Sequence, residues 1–258
     1  MPLTADPFYR ERPLILAHRG ASASAPENTL AAFALAIEQG ADGIELDVTR
    51  CATGEVVVMH DATVDRTTDG TGAVTALPLD ALHGLDAGAW FGPGWSGERI
   101  PLLDEVLELV GGRLRINIEI KREGSGGGLE EQIAAQVRRH ALQHEVIISS
   151  FSPRALRRIR HVAPELPRAL LTALPAPLDL TLAWAEPLLA PTALHTHHGM
   201  ASANMIRNAH RRGLRVNVWT VNEPAAMRRM IALEVDGIIT DRPANLAAIF
   251  RASDQRTT

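Results

Sequence analysis

Three carboxylates stand at alternating positions in two short apolar segments of the sequence. Glu45 and Asp47 lie in GIELDV, and Glu119 lies in INIEIK, where Lys121 follows it on the same face. Side chains two residues apart point to the same side of a strand, so the members of each pair share a face. Three converging carboxylates would repel one another, and a divalent cation would remove that repulsion. An all-oxygen ligand set predicts Mg²⁺ or Ca²⁺ rather than Zn²⁺.

Two histidines stand at the ends of other apolar segments. His18 begins the tripeptide His18-Arg19-Gly20 after LILA, and His60 precedes Asp61 after VVVM. In a parallel barrel, the ends of the strands supply the active site at one face. Each of these motifs is weak by itself. Together, on four successive strands, they predict one polar site at the barrel mouth.

The elements that must position these residues alternate between short β-branched runs and amphipathic helical patterns. About eight such units in about 250 residues favour a TIM-type (β/α)8 barrel of the α/β class over an open sheet. The predicted strands are Leu14–Ala17, Gly43–Val48, Val56–His60, Leu114–Ile120, Val146–Ser150, Ala169–Thr172, Arg215–Thr220 and Gly237–Thr240, with Ala193–Thr196 as a competing ninth run. The predicted helices are Leu30–Gln39, Leu129–Ala141, Pro153–His161, Ala203–Arg212 and Ala225–Leu233.

Two segments break this alternation and predict a distorted barrel. Too few residues separate the second and third strands for a crossover helix, so we expect a hairpin that turns at Thr53-Gly54. A tight turn there would set Asp47 opposite His60. Residues 62–98 form a small insertion after the third strand, rich in glycine and aromatic residues. It is either a lid or cap over the site or a decorated surface loop.

Composition limits the partners and compartments that the chain can have. Its 258 residues suffice for a single barrel domain over residues 1–258. The net charge of −4 argues against a nucleic-acid partner. The one cysteine, Cys51, cannot form an internal disulfide, and we expect an ordinary buried thiol. With no signal-peptide pattern and no apolar run of about 18 residues, we expect a cytoplasmic protein without a membrane span.

Further motifs accompany these residues in a fixed order. The ordered set is His18-Arg19-Gly20, Pro26-Glu27-Asn28-Thr29, Glu45-Leu46-Asp47-Val48, His60-Asp61, Arg66-Thr67-Thr68, Ile100-Pro101, Glu119-Ile120-Lys121, Ser150-Phe151, Trp219-Thr220-Val221-Asn222 and Asp236-Gly237-Ile238-Ile239-Thr240-Asp241. In this order the set resembles the glycerophosphodiester phosphodiesterase family, of the bacterial cytoplasmic type. The resemblance implies a phospholipase C-like phosphodiesterase barrel. It also implies hydrolysis of a small-molecule glycerophosphodiester to glycerol 3-phosphate and an alcohol.

The resemblance also implies roles for the residues in the core motifs. By position, Glu45, Asp47 and Glu119 would be the ligands of one divalent cation, either Mg²⁺ or Ca²⁺. His18 and His60 would be the acid–base pair, with His60 as general acid and His18 as general base. A histidine pKa near neutrality suits both tasks. The general base could activate water or the 2-hydroxyl of the substrate glycerol.

Two cationic and two aromatic residues would complete the site. By the same resemblance Arg19 and Lys121 would hold the phosphate and stabilise charge on its non-bridging oxygens. Phe151 and Trp219 are candidates for the wall of the substrate pocket, and packing within the barrel is the alternative for both. The head group of the substrate and the oligomeric state stay open.

Some motifs and the activity itself have alternative interpretations. Asn28 or Thr29 could simply cap the helix that follows them, and Asp241 could simply fix its loop. The tract His195-Thr196-His197-His198 could bind a second metal ion, but its spacing is not diagnostic of a metal site. Histidines that are solvated, or that support residues of the site, are the favoured interpretation. A lipid phosphodiesterase, lysophospholipase D-like or sphingomyelinase D-like, would use the same residues. A non-catalytic binder of phosphate esters would not require both histidines and all three carboxylates, which are present here.

Overall fold

Parallel strands form a closed barrel in the computed structural model, which describes residues 8–9, 13–121, 127–173 and 178–254. The described strands are β1 Leu14–His18, β2 Gly43–Arg50, β3 Val56–Val58, β4 Arg115–Ile120, β5 Val146–Ser150, β6 Arg168–Thr172, β7 Ala193–His197, β8 Arg215–Trp219 and β9 Gly237–Thr240. All except β3 belong to the barrel, which closes because β1 pairs in parallel with both β2 and β9. The predicted barrel is thus confirmed, and the run from Ala193 is one of its eight strands.

The extra strand β3 turns back antiparallel to β2, as predicted, but one residue out of the predicted register. Thr49 pairs with Val57, and the amide of Met59 donates to the carbonyl of Asp47 at 2.9 Å. The prediction that His60 lies opposite Asp47 was therefore wrong. The turn is centred on one residue instead of between two, because the connection between the strands holds the five residues 51–55.

Helices alternate with the strands and cover the outside of the barrel, except for one short helix in the insertion after β3. They are α1 Leu30–Glu38, α2 Leu79–His83, α3 Leu103–Val110, α4 Leu129–Arg139, α5 Pro153–Val162, α6 Leu178–Leu189, α7 Ala203–Arg211, α8 Pro224–Ala232 and α9 Pro243–Asp254. Thr29 caps α1 by accepting from the amide of Ala32, and Ser152 caps α5 by accepting from Ala155. Within the described ranges, no helix is long and apolar enough to cross a bilayer.

Four of these helices, α2, α3, α6 and α9, were not among the predicted ones. The clearest omission is α3, which buries four apolar residues at helical spacing: Leu103, Val106, Leu107 and Val110. That period is present in the sequence, so the omission was one of interpretation. The buried face of α3 packs in the layer between strands and helices, which holds most of the hydrophobic core.

A second apolar cluster fills the end of the barrel opposite the predicted site. Phe8 and Tyr9 are buried there and pack against inward-facing residues such as Leu14 and Leu16. The Tyr9 hydroxyl accepts a 3.1 Å hydrogen bond from Asn217. Because this end is closed by side chains, the open end lies at the carboxyl ends of the strands, where active sites of such barrels lie.

The insertion after β3 has a small core of its own. Val64, Val74 and Leu82 pack with Cys51 and Ile100, so the cysteine is a buried thiol as expected. At the far end of the insertion, Trp90, Phe91 and Trp95 make successive edge-to-face contacts. The insertion is therefore a packed unit, and one of its arginines returns to the barrel mouth, as described below.

Candidate active site

The three predicted carboxylates converge at the carboxyl ends of neighbouring strands. Glu45 stands beside His18 in the pairing of β1 with β2, and Asp47 stands beside Glu119 in the pairing of β2 with β4. Each of the three carboxylates offers one oxygen, and these oxygens lie within 4.8 Å of one another. Glu45 and Asp47 are almost wholly buried. Within the described ranges, this is the only His/Cys/Asp/Glu group with metal-binding geometry.

The electrostatics of this acidic triad favour a bound cation. Burial, and then the charge of Asp47, raises the pKa of Glu45 to about 8. The same two causes raise the pKa of Glu119. Burial also acts to raise the pKa of Asp47, but Lys121 and Arg19 outweigh it and lower that pKa. The protein thus lacks enough positive charge for three ionised carboxylates, and a hard divalent cation fits the oxygen ligands that they provide.

Both predicted phosphate-binding residues lie against the triad. The Lys121 ammonium is 2.8 Å from an oxygen of Asp47 and 2.8 Å from an oxygen of Glu119. Arg19 Nε lies 3.5 Å from Asp47, while its Nη1 donates to Glu27 at 2.8 Å. Arg19 has a φ of +56°, a left-handed conformation that turns the chain sharply after β1. Glu27, from the motif after β1, therefore holds Arg19 at the mouth.

Each predicted catalytic histidine has an aspartate on its Nδ1 atom. His18 Nδ1 is 2.6 Å from Asp241, and His60 Nδ1 is 2.6 Å from Asp61. An acceptor on Nδ1 places the proton there and leaves Nε2 free to exchange a proton with a substrate. The Nε2 atom of His18 lies 4.0 Å from Glu45, which places it beside the acidic triad.

The surroundings shift the pKa values of the two histidines in opposite directions. Burial acts to lower the pKa of His18, but the hydrogen bond to Asp241 and the charge of Glu45 outweigh it and raise that pKa. For His60, burial is the largest cause and lowers the pKa, while the charge of Asp47 opposes it in part. The two imidazoles therefore differ in basicity in the protein without a cation.

A cavity of about 120 Å³ opens among these residues. Its lining includes His18, Arg19, Glu45, His60, Asn117, Glu119, Lys121, Phe151 and Trp219. Phe151 and Trp219 meet edge to face with their ring centroids 5.8 Å apart. The indole Nε1 of Trp219 is buried and has no hydrogen-bond partner in the described part of the chain. The aromatic wall thus offers an apolar surface beside the charged groups.

Several contributors to the site were missed or underestimated from the sequence. Asp241 does more than fix a loop, because it contacts His18 and accepts hydrogen bonds from Ser22 and Asn222. Its signal was its place at the end of β9, which neighbours β1 in the ring. Thr29 is the helix cap, whereas Asn28 donates to Asp47 at 2.9 Å.

The histidine tract does not converge on one point. His195 is buried inside the barrel and contacts Asn217 and Asn117. The rings of His197 and His198, which follow Thr196 in the sequence, lie against each other, and the His197 ring also contacts Trp219. His195 is wholly buried whereas His197 is exposed, and within the described ranges no group with metal-binding geometry includes either of them. The tract therefore does not form a second metal site.

Comparisons with known proteins agree with this geometry. The profile described as Glycerophosphoryl diester phosphodiesterase family matches residues 18–245. A glycerophosphodiester phosphodiesterase of Caldanaerobacter subterraneus subsp. tengcongensis is 42% identical over 245 residues, covering 92% of this chain and 98% of the relative. An Agrobacterium tumefaciens glycerophosphodiester phosphodiesterase structure is 34% identical with a TM-score of 0.80, covering 92% and 99%. An Oleispira antarctica phosphodiesterase, solved with the product sn-glycerol-3-phosphate, is 31% identical with a TM-score of 0.82, covering 93% and 97%.

Proposed function

The chain belongs to the glycerophosphoryl diester phosphodiesterase family, and from that membership we propose that it hydrolyses glycerophosphodiesters to glycerol 3-phosphate and an alcohol. It is an enzyme of the phosphoric diester hydrolase class. The observation that supports the mechanism is the convergence, around one cavity, of an acidic triad, two cationic side chains and two aspartate-paired histidines. Loss of either histidine or of any of the three carboxylates would have favoured a non-catalytic binder.

The acidic triad would hold one divalent cation. Glu45, Asp47 and Glu119 present buried carboxylate oxygens whose mutual repulsion a single Mg²⁺ or Ca²⁺ would relieve. When bound, such an ion polarises a non-bridging phosphate oxygen and stabilises the charge that develops on it.

Arg19 and Lys121 would bind the phosphate from the protein side. Both already lie against Asp47, so their positive charges face the place where the carboxylates converge. Arg19 offers a planar fork to two oxygens, whereas the Lys121 ammonium acts as a compact charge. The hydrogen bonds from these two residues would strengthen as negative charge develops on the non-bridging phosphate oxygens in the transition state.

The two histidines would divide the proton transfers between them. We assign His18 as the general base and His60 as the general acid, which protonates the leaving alkoxide. The base takes a proton from the attacking water, or from the 2-hydroxyl of the substrate, in which case a cyclic phosphate forms and water then opens it to glycerol 3-phosphate. In the protein without a cation, the pKa of His18 is raised and that of His60 lowered, which would suit the opposite assignment. A cation beside Glu45 would oppose the rise at His18. The assignment therefore stays a prediction that a leaving-group experiment decides.

Phe151 and Trp219 would form the apolar wall against which part of the substrate packs. Their edge-to-face contact makes a rigid surface beside the charged groups.

The test is release of glycerol 3-phosphate from a panel of glycerophosphodiesters with choline, ethanolamine, glycerol and inositol head groups. Each would be assayed in chelator, in Mg²⁺ and in Ca²⁺, with a lysophospholipid and a sphingomyelin as lipid comparators. We expect metal-dependent release from at least one water-soluble diester. Cleavage of the lipid comparators alone would favour the lipid phosphodiesterase instead.

A further inference from the structure

One arginine of the insertion reaches back to the mouth of the barrel. Arg66 Nε donates to Asp61 Oδ2 at 2.6 Å, and its Nη1 and Nη2 donate to the two oxygens of Glu27 at 2.9 and 2.7 Å. A single guanidinium thus uses three nitrogens on two carboxylates. Arg66 is not among the residues that line the cavity, so it does not belong to the substrate-contacting set described above.

Each of these two carboxylates also makes a second contact, to a residue of the site. Asp61 contacts His60 Nδ1 at 2.6 Å through its other oxygen, Oδ1. Glu27 Oε1, which Arg66 also contacts, accepts from Arg19 Nη1 at 2.8 Å. A continuous series of charge-assisted contacts therefore runs from Arg19 through Glu27, Arg66 and Asp61 to His60.

We propose that Arg66 is a positioning residue that fixes a catalytic histidine and the phosphate-binding arginine relative to each other. This role rests on the proposed function of the same site. Asp61 and Glu27 come from different segments, and within the described part of the chain only Arg66 contacts both. The planar fork suits the task because its donors have fixed directions, so both carboxylates are oriented by one group. The partner of the other histidine, Asp241, is instead held by the neutral donors Ser22 and Asn222.

The insertion would thereby have a role in the reaction, although none of its residues lines the cavity. Misplacing a catalytic group by a small distance lowers the rate strongly even when binding groups are intact. Loss of Arg66 should free Asp61 to turn into solvent, and His60 would then lose its fixed orientation. Arg19 would still contact Glu27, but the Glu27 carboxylate would no longer be oriented by Arg66. The expected effect is therefore mainly on kcat, with a smaller increase in KM.

The test compares R66A with R138A in the full chain. Arg138 is a matched control because it also pairs with a carboxylate, Glu165, and its side chain is 44% exposed against 46% for Arg66, yet it lies on α4 away from the mouth. We expect R66A to lower kcat/KM by at least about tenfold and R138A to change it little. Because Arg66 is open to solvent, added guanidinium should restore part of the R66A activity and none in R138A.

A double-mutant cycle with H60A separates positioning from a general loss of stability. If Arg66 acts through His60, R66A should cost much less in the H60A background than in the wild type. Equal losses in both backgrounds, or no effect of guanidinium, would overturn the proposal. If R66A does not fold, R66K replaces it, and full activity of R66K would equally count against a fork-dependent role. An inactive wild type would refute the proposed function itself, whereas an active wild type with a fully active R66A would refute only the role of Arg66.

Discussion

At the scale of single residues, the site consists of charged groups that are each held by a second group. His18 and His60 each have an aspartate 2.6 Å from Nδ1, and Asn28 donates to Asp47. A side chain fixed in this way loses little entropy when the transition state forms. The two His–Asp pairs are geometrically equivalent, so geometry alone does not tell the acid from the base.

The leaving group distinguishes the two histidines. A nitrophenolate hardly needs a proton, whereas a choline or ethanolamine alkoxide does. His60→Ala should therefore lower the rate of cleavage of natural diesters by about a hundredfold or more. The rate for a glycerophosphoryl nitrophenyl ester should change much less. His18→Ala should damage both substrates alike. The matched control is His140→Ala, because the His140 imidazole lies 2.7 Å from Asp104 in a similar pair. This pair lies away from the mouth of the barrel.

The outcome also tests which histidine is the general acid and which is the general base. The same pattern with the histidines exchanged would keep the chemistry and reverse the assignment, as the pKa directions of the cation-free protein suggest. Equal losses on both esters in both variants would contradict separate acid and base roles.

Lys121 can be tested as a phosphate-binding group rather than an ion-pair partner. Lys121→Met keeps the length of the side chain and removes its charge. We expect kcat/KM to fall at least about tenfold, or about 1.4 kcal/mol of transition-state stabilisation. Steady-state kinetics on a natural diester, at saturating divalent cation, measure this. Unchanged kinetics would mean that Lys121 only neutralises Asp47 and Glu119, both 2.8 Å away.

Which residues the sequence could predict depends on how local their signal is. Glu45, Asp47 and Glu119 were predictable because strand alternation places them on one face at the ends of neighbouring strands. The contacts of Asp241 with His18 and of Arg66 with Glu27 were not, because these partners are 223 and 39 residues apart. Such pairs depend on the closure of the ring and on the path of the insertion, which periodicity does not contain.

At the scale of the elements, β4, β7 and β8 carry a buried polar layer beneath the cavity. Asn217 Nδ2 lies 2.9 Å from His195 Nε2, and Asn117 Nδ2 lies 3.4 Å from its Nδ1. His195 is fully buried, and burial lowers its pKa to about 3. Its imidazole is therefore neutral in the folded protein over the whole physiological range.

This buried imidazole predicts a loss of stability in acid. The folded-state pKa lies below the usual value of 6.5, so the unfolded chain binds a proton that the folded chain does not. The contribution of His195 is complete above pH 6.5 and is lost as pH falls toward about 3, by up to about 1.4 kcal/mol per pH unit. His195→Gln should reduce that slope, whereas substitution of the exposed His161 should not.

Denaturant unfolding at a series of pH values measures both slopes. Parallel curves for the wild type and H195Q would show that His195 is not the titrating group.

The β2–β3 hairpin shows where prediction at the element scale fails. The two strands and their reversal could be predicted from the apolar runs and the short gap between them. The register could not, because a shift of one residue costs nothing in a pattern where the valines of β3 are all buried. The helix α3 was available from its spacing, while the structure of the insertion depends on packing among residues such as Val64, Val74 and Leu82.

At the scale of the whole molecule, the fold brings acidic side chains together at one end of the barrel, although the net charge of the protein is only −4. The carboxyl ends of the strands bring three carboxylates together, and the protein supplies only part of the opposing charge through Lys121 and Arg19. A bound divalent cation should therefore both stabilise the fold and be required for turnover. Chelation should abolish activity, and added Mg²⁺ or Ca²⁺ should restore it. Full activity in thoroughly chelated protein would refute the metal requirement.

The affinity for the cation should depend on pH in a way that identifies the triad. Because the pKa of Glu45 is about 8 without a cation, binding below that pH must displace a proton. The apparent affinity should fall about tenfold for each pH unit below about 8. Glu45→Gln removes one carboxylate and its titration, so it should bind weakly and with a shallower pH dependence, because Glu119 with its raised pKa remains. Substitution of the exposed Glu108 on α3 should leave the wild-type profile unchanged. Calorimetric titration with Mg²⁺ or Ca²⁺ across this range measures both quantities, and a wild-type affinity that does not vary with pH would mean that the cation binds elsewhere.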